Sequence, residues 1–356
     1  MSDATPMTLE VEALANLHSH IREGEVVGPL LKYAIEGGAD VLCPMPNTSK
    51  GLTTADEVSV YIDRARDLVD RTRKKLALLP VVMVTEYTTF KKLEQCVKAG
   101  ICNAKVYPLD RTTKSHNGVR HYSRILPQVK RGGELGMKFH LHPEHPWMVF
   151  GSRDAELAFL PIADMLLNET KATLIWEHGT DGRCIPFWKD MAGSGRFFVT
   201  LTAHHLATNE DQAFGDVRSV CKPPIKTKQD QSDLVKLVEE DHEWVMTGAD
   251  DAPHPASAKH VSKGGCACGA YTAPFLLPLY AHALDRLLQT QNGVSTFVRF
   301  TSRNGRRFHD LSDAWPRYML VRRPFKIPLS YRVGPWTVEP FWAGQTINWS
   351  LVPWLF

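Results

Sequence analysis

Apolar runs of strand length alternate with amphipathic stretches of helix length from Glu12 to the end of the chain. A repeated strand-then-helix order is typical of βα units around a parallel sheet. The runs that predict strands cover residues 17–22, 40–45, 76–84, 103–107, 137–142, 173–178, 197–202 and 244–250. Eight such units fit an α/β fold of the (β/α)8 TIM-barrel type better than an open sheet.

The intervening stretches carry helical spacing and helix-end signals. Val27, Leu30, Leu31 and Ala34 recur on one helical face that Gly37-Gly38 ends. The tetrapeptide Thr54-Ala55-Asp56-Glu57 has the form of a capping box and predicts the start of the next helix. Further helices are expected near 90–98, up to about 135, and over 155–167. We expect a single barrel domain over residues 1–356, with a C-terminal extension at about 325–356. Its tail, 336–356, is expected to form a short strand pair on the barrel or at a subunit contact.

Polar residues stand where several of the predicted strands end. They are His18, Lys105, His142, His178 and Asp250. The carboxyl ends of the strands carry the active site in barrels of this type, so these side chains are expected to converge. His18, His20 and Arg22 also share one face of the first strand, because side chains alternate along a strand. Two imidazoles can bind a metal ion and a guanidinium can bind a carboxylate, which predicts a hydrolytic metal site with an acidic substrate.

Composition excludes several other classes of protein. The chain is 43% hydrophobic and 23% charged, as in ordinary soluble globular proteins, and its net charge of +3 argues against a nucleic-acid or membrane partner. No leader-like or membrane-length apolar segment is seen, which predicts a cytoplasmic protein. The seven cysteines are scattered and are expected to be reduced, and Cys266-Ala267-Cys268 lacks the spacing and the second pair of a structural zinc site.

Motifs along nearly the whole chain resemble the dihydroorotase branch of the amidohydrolase superfamily, in its shorter bacterial and fungal class. They are His18-Ser19-His20-Ile21-Arg22-Glu23-Gly24, Met45-Pro46-Asn47, Ala104-Lys105-Val106-Tyr107-Pro108 with Thr112-Thr113 and Gly118, Glu177-His178, Thr202-Ala203-His204-His205-Leu206, Asp250-Asp251-Ala252-Pro253-His254, and Ala343-Gly344 with Trp349-Ser350. Each motif alone is weak, whereas the set in this order is specific.

The resemblance implies two zinc ions, a ligand set and a reaction. The ions would be held by His18, His20 and Asp250 and by His142 and His178, with Lys105 carboxylated on its amine as the bridge. Asp250 would also act as the general acid/base. Arg22, Asn47 and His254 would bind the substrate carboxylate, Thr112 and Thr113 would close over it, and Gly269 would contact it from the loop 257–269, although Ala270 remains an alternative. The implied reaction interconverts dihydroorotate and N-carbamoyl-aspartate in pyrimidine biosynthesis, in a homodimer.

Two departures from the family pattern bear on activity. Pro143 follows His142 where the family usually has Gly, so the turn is stiffer and a shift of His142 would weaken the second metal site. Asp251 places a second carboxylate beside Asp250, where like-charge repulsion would disfavour ionisation of the base.

Other histidines and two other functions also fit parts of the sequence. His140 is interpreted as a core residue, and structural or solvated roles are expected for the histidines that merely lie near motifs, namely His116, His145, His204, His205 and His260. Two alternative functions stay open on the sequence: a related hydrolase of another cyclic amide or imide, and a binding or scaffold protein that has lost catalysis.

Overall fold

The computed structural model describes residues 6–71, 74–312 and 317–353. Its strands are β1 (Thr8–Glu12), β2 (Leu14–Ser19), β3 (Ala39–Pro44), β4 (Ala77–Leu78), β5 (Val81–Val84), β6 (Asn103–Val106), β7 (Lys138–Leu141), β8 (Thr173–Trp176), β9 (Phe197–Leu201), β10 (Val245–Thr247), β11 (Arg317–Val321), β12 (Phe325–Lys326), β13 (Tyr331–Val333), β14 (Trp336–Val338), β15 (Thr346–Ile347) and β16 (Ser350–Pro353).

Helices follow the barrel strands and cover their outer faces. The α-helices are α1 (Val27–Glu36), α2 (Ala55–Asp70), α3 (Phe90–Lys98), α4 (Tyr122–Glu134), α5 (Leu160–Glu169), α6 (Ile185–Ala192), α7 (Ala203–Ala207), α8 (Glu210–Ala213), α9 (Lys228–Glu239), α10 (Ala256–Lys259), α11 (Leu276–Ala283), α12 (Gln291–Val298) and α13 (Asn304–Phe308). Within the described ranges, no helix combines the length and the apolar character needed to cross a bilayer.

Two parallel sheets, β2-β3-β4 and β5 to β10 in order, together form a closed barrel. The run 76–84, predicted as one strand, is divided by Leu79-Pro80, so that β4 pairs with β3 while β5 pairs with β6. The barrel closes between β10 and β2, where Asp250 N donates to the His18 carbonyl oxygen at 2.9 Å. The predicted (β/α)8 barrel is therefore confirmed, and its strands are shorter than the apolar runs that indicated them.

The helix-end signals act as the sequence predicts. Thr54 accepts from the backbone of Glu57 while the Glu57 carboxylate accepts from the backbone of Thr54, which is a complete capping box at the start of α2. In α1, Val27, Leu31 and Ala34 face the main core. Leu30 instead packs with Val333 and Val338 of the C-terminal hairpin.

The C-terminal segment is more elaborate than the predicted strand pair. Strands β13 and β14 form one hairpin, and β12 pairs with β15. β16 joins β11, which pairs on its other side with β1, an N-terminal strand that the sequence pattern did not indicate. The last three residues, 354–356, lie outside the described residues. Because β11 lies between β1 and β16, the N-terminal strand and the last strand of the extension belong to the same sheet.

Gly37, at the end of α1, permits a close approach of the segment before α11. A Cβ atom at this position would lie 1.7 Å from the Ala273 carbonyl oxygen, which is backbone and cannot rotate away. We expect Gly37→Ala to lower the free energy of unfolding by about 3 kcal/mol, as overpacking does, in urea denaturation. Gly100→Ala is the control, since its Cβ would meet nothing within 4 Å and only its left-handed backbone opposes the change, at about 1 kcal/mol. Equal losses in the two variants would contradict the steric argument.

Candidate metal centre and substrate cavity

His18, His20 and Asp250 converge at the closure of the barrel. The Nε2 atom of His20 lies 3.0 Å from Asp250 Oδ1, and that of His18 lies 3.3 Å from the same oxygen. Their three ligand atoms all lie within 4.8 Å of one another, and all three side chains are buried. Burial and then the charge of Lys105 lower the pKa of His18 to about 4, which keeps this imidazole neutral and able to bind a cation.

His142 and His178 extend this group across the barrel mouth. The ring centroid of His178 lies 5.0 Å from that of His18 and 4.6 Å from that of His142. His142 Nε2 lies 2.8 Å from the Glu144 carboxylate, so Nε2 carries the proton and Nδ1 keeps the free lone pair. The Nδ1 atom of His178 is buried and has no hydrogen-bond partner among the described residues.

Lys105, on β6, is fully buried. Its Nζ atom has no hydrogen bond within the described part of the chain and lies 5.3 Å from the centre of the Tyr107 ring. Burial lowers the pKa of this amine to about 8, against the pull of the carboxylates of Glu177 and Asp250. An unpaired amine whose charge lowers the pKa of His18, His20 and His178 fits a lysine that is modified or bound to an ion, and it does not fit a structural ion pair.

The carboxylate of Glu177 lies beside the ring of His18. One of its oxygens is 3.0 Å from His18 Nδ1, and the carboxylate accepts from Thr200 Oγ1 at 2.5 Å and from His140 Nδ1. A carboxylate on the far nitrogen of a histidine fixes the tautomer and directs the other nitrogen toward a metal. Glu177 was predicted only as part of the Glu177-His178 motif, so its position beside His18 was missed.

Three predicted site residues have a left-handed backbone that residues other than glycine rarely adopt. The φ angles are +57° at Arg22, +41° at His178 and +48° at Asp250. At Arg22 the conformation is supported by the Tyr61 hydroxyl, which donates to the Arg22 carbonyl oxygen at 2.9 Å. Strained backbone of this kind collects where a side chain must be aimed at a functional site.

A small cavity adjoins the His20 and Asp250 side of the centre. It is lined by His20, Arg22, Asn47, Thr112, Thr113, Lys222, Asp250, Ala252, Cys268 and Gly269. The two cationic side chains and the Asn47 amide make it suited to an anion. Thus Arg22, Asn47, Thr112, Thr113 and Gly269, which were predicted to bind the substrate, line one cavity. Lys222, Ala252 and Cys268 also line it and were not predicted, although Ala252 stands within a quoted motif.

The loop that contains Thr112 and Thr113 is fastened on both sides. Asn47 Nδ2 donates to the Thr113 carbonyl oxygen at 3.2 Å. Arg111 donates to the carbonyl oxygens of His145, Trp147 and Phe150 at 2.6–2.7 Å. The loop over the cavity is therefore tied to the loop that follows β7.

His254 and Gly269 meet at the edge of the cavity. His254 Nε2 lies 3.2 Å from Arg22 Nη2 and 3.0 Å from the Cys268 carbonyl oxygen. The His254 ring therefore adjoins the Arg22 guanidinium. Gly269 has φ +154°, and a Cβ there would lie 2.4 Å from the Ala252 carbonyl oxygen. Only glycine fits this close approach of the two backbones.

The residues that depart from the family pattern are accommodated. Asp251 directs its oxygens away from the histidines, accepting from Thr272 Oγ1 at 2.6 Å and from Asn16 Nδ2 at 2.9 Å. Burial raises the pKa of Asp251 to about 6 in spite of these hydrogen bonds. After Pro143, the chain turns so that the Glu144 carboxylate contacts His142 Nε2. The His142 ring remains next to the ring of His178.

The cysteines and the remaining histidines behave mostly as expected. All seven cysteines are free, and His140 is fully buried against Glu177. His116 and His260 are exposed and pair with Asp110 and Glu339. His204 and His205, in contrast, are buried next to Cys221.

No protein-family model matches the chain. A dihydroorotase of Yersinia pseudotuberculosis is 30% identical to it over 98% of this chain and 99% of that protein. The chain belongs to the dihydroorotase family. A crystal structure of dihydroorotase from Saccharomyces cerevisiae in complex with 5-fluoroorotic acid superposes with a TM-score of 0.89 at 27% identity, covering 97% of this chain and 98% of that one.

A hydantoinase of much lower sequence identity has the same fold. The L-hydantoinase of Arthrobacter aurescens superposes with a TM-score of 0.79 at 13% identity, over 97% of this chain and 83% of that one. This likeness shows the fold alone. Membership in the dihydroorotase family nevertheless identifies the chain as a metal-dependent hydrolase of cyclic amide C–N bonds.

Proposed function

We propose that the chain interconverts (S)-dihydroorotate and N-carbamoyl-L-aspartate, the ring-closing step of de novo pyrimidine biosynthesis. The observation that carries the proposal is the cavity in which Arg22, Asn47 and Lys222 adjoin His20 and Asp250. It places anion-binding groups beside a set of metal ligands, as a ring with a carboxylate substituent requires. A neutral cyclic substrate would bring no negative charge to the half-buried Arg22 guanidinium.

We further propose that His18, His20 and Asp250 hold one Zn2+ ion, that His142 and His178 hold a second, and that Lys105 bridges them as the N6-carboxylated side chain. The residues fit these ions, since the imidazoles converge and both Lys105 Nζ and His178 Nδ1 are buried without partners among the described residues. When bound, such a metal pair supplies an acidified water and a Lewis acid for the ring carbonyl. Carboxylation turns the Lys105 cation into an anion, which suits a bridge between two cations.

In this proposal the protein residues orient the substrate and move a proton. Arg22, Asn47 and His254 hold the substrate carboxylate, and Thr112, Thr113 and Gly269 cover it. Asp250 accepts a proton from the attacking water and gives it to the leaving amide nitrogen, which restores its carboxylate. The same groups in reverse order close the ring of the ureido acid.

The remaining parts of the proposal concern the whole molecule. We propose a cytoplasmic homodimer in which residues 1–356 form a single barrel domain with its C-terminal extension. The pairing of β1 with β11, and of β11 with β16, supports one domain, because both chain ends contribute to the same sheet.

The substrate assignment is tested by removing the cation that would bind the carboxylate. Truncating one partner of a buried charge pair costs roughly 2 to 4 kcal/mol, so Arg22→Met should lower kcat/KM for dihydroorotate by roughly 30- to 1000-fold. The rate of ring opening of dihydrouracil, which has the same ring without the carboxylate, should change by less than about threefold. Both rates are followed by the ultraviolet absorbance of the substrate.

Metal content serves as the control for this variant, since Arg22 is not a predicted ligand and its zinc should stay at the wild-type level. A wild-type enzyme that opens dihydrouracil and ignores dihydroorotate would reverse the assignment in favour of the neutral-ring hydrolase. A wild-type enzyme that binds no zinc and opens neither ring would instead support the scaffold alternative.

A further inference from the structure

A second group of metal-binding side chains lies apart from the proposed catalytic ligands. His204 and His205 belong to α7, which follows β9, and Cys221 lies in the segment before α9. Their ligand atoms all lie within 4.8 Å of one another, and all three residues are buried. No role for them follows from the proposed reaction.

The distances within this group match the edges of a tetrahedral zinc site. Cys221 Sγ lies 3.6 Å from His205 Nε2, and the Pro223 carbonyl oxygen lies 3.2 Å from each of these two atoms. Around a tetrahedral Zn2+, with Zn–S near 2.3 Å and Zn–N near 2.0 Å, ligand atoms are separated by about 3.3–3.6 Å. Sulfur, nitrogen and oxygen therefore already occupy three corners around one point.

His204 supplies the observation that points to a ligand. It is fully buried, and neither of its ring nitrogens has a hydrogen-bond partner among the described residues. Its ring centroid lies 4.4 Å from that of His205. A buried polar group without a partner destabilises the fold, and a bond to a metal at the fourth corner would remove that cost.

The metal-free interpretation accounts for His205 and Cys221 but leaves His204 unexplained. His205 can donate from Nε2 to the Pro223 carbonyl oxygen while Thr202 Oγ1, 2.7 Å from Nδ1, donates to the ring. Cys221 donates to the same carbonyl oxygen. With a metal bound, His205 reverses its tautomer and donates from Nδ1 to Thr202, which frees Nε2 as a ligand.

We propose that His204, His205, Cys221 and the Pro223 carbonyl oxygen form a third, structural metal site that takes Zn2+. Binding converts the Cys221 thiol into a thiolate as the metal–sulfur bond forms, and the thiol proton leaves to solvent. Burial lowers the pKa of His204 to about 4, so its imidazole is neutral and available.

The site would fix one wall of the substrate cavity. Lys222 lines the cavity and stands between Cys221 and Pro223, two of the proposed ligands. The adjacent Val220 carbonyl oxygen accepts from Gly269 N at 2.8 Å. An ion bound here would hold both Lys222 and the Gly269 loop against α7.

Cobalt gives a signal that separates this site from the catalytic one. The purified full-length protein is stripped with a chelator and titrated with Co2+. A thiolate ligand produces an intense sulfur-to-cobalt charge-transfer band in the near ultraviolet, whereas the proposed catalytic ligands are only nitrogen and oxygen donors. We expect the band to saturate at no more than about three Co2+ per chain, because the two catalytic positions also take Co2+ but do not produce the band.

Matched variants locate the signal. Cys221→Ser and His204→Gln should remove the band and lower the zinc content of the purified protein by about one ion per chain, while Cys266→Ser and Cys268→Ser should keep both. Far-ultraviolet circular dichroism checks that each variant is folded, and His205→Gln replaces His204→Gln should the latter fail to fold. Absence of the band from the wild-type protein, or its loss in Cys268→Ser with retention in His204→Gln, would overturn the proposal. Neither outcome would bear on the catalytic zinc ions or on the proposed function, which are tested by the Arg22 and Lys105 variants.

Discussion

Lys105→Met is expected to abolish detectable dihydroorotate hydrolysis and to lower the zinc content. Methionine fills the volume of the lysine stem but cannot be carboxylated, so the proposed bridge between the two ions is lost. Metal ions supply several kcal/mol of transition-state stabilisation, and each 1.36 kcal/mol is a factor of ten, so the rate should fall by at least about 1000-fold. Hydrolysis assays and zinc analysis on the same sample measure the two effects.

A lysine at the other end of the barrel gives the control. Lys138 begins β7, and its Nζ donates to the Phe308 carbonyl oxygen at 2.6 Å, so Lys138→Met also removes a partly buried amine. Its zinc content and rate should stay near the wild-type values.

Lys105→Gly should regain part of its activity when acetate is added, because a free carboxylate can enter the space of the carboxylated side chain. Full activity in Lys105→Met would exclude the bridge.

Asp250→Asn is expected to lower kcat by roughly 100- to 10,000-fold, the usual contribution of a general acid/base. The amide keeps an oxygen near His18 and His20 but cannot accept a proton from the attacking water. Asp250 Oδ1 lies 3.0 Å from His20 Nε2, and both residues are proposed ligands of the same zinc ion. The neutral asparagine amide binds zinc more weakly than the carboxylate, so the variant should also need a higher zinc concentration for half-maximal activity. Rates measured over a zinc titration separate the loss of metal from the loss of the base.

The neighbouring carboxylate supplies a close control for that variant. Asp251 is adjacent in sequence and equally buried, yet its oxygens contact Thr272 and Asn16. Asp251→Asn should therefore cost stability, since its amide nitrogen would face the donor group of Asn16, while kcat should fall less than about tenfold. A larger loss in Asp251→Asn than in Asp250→Asn would reassign the base to the second carboxylate.

The barrel could be predicted from the sequence because each of its strands is a buried apolar run followed by an amphipathic helix. Strand limits were predicted less accurately. His178 and Asp250 were expected to end their strands, but His178 lies two residues past the end of β8 and Asp250 three past the end of β10. The division at Pro80 and the N-terminal strand β1 were missed. β1 was missed because its partner, β11, is more than 300 residues away in the sequence.

The candidate site was predictable to the extent that its residues sit in short motifs. The convergence of His18, His20 and Asp250 follows from strand order in a closed barrel. The roles of Glu177, Lys222 and Glu144 could not be obtained in that way, since each depends on side-chain direction in a turn. The same holds for Arg22, which is not on the strand face that alternation predicts but in a left-handed turn after β2.

The three hydrogen bonds from Arg111 have a consequence for ligand exchange. Opening the loop that carries Thr112 and Thr113 must either break these bonds or pull residues 145–150 along, so entry and release of the ligand would displace Trp147, whose side chain is half exposed. Its indole is thus positioned as an intrinsic fluorophore, and stopped-flow emission of the unlabelled enzyme, compared with Trp147→Phe, would time each turnover without a dye.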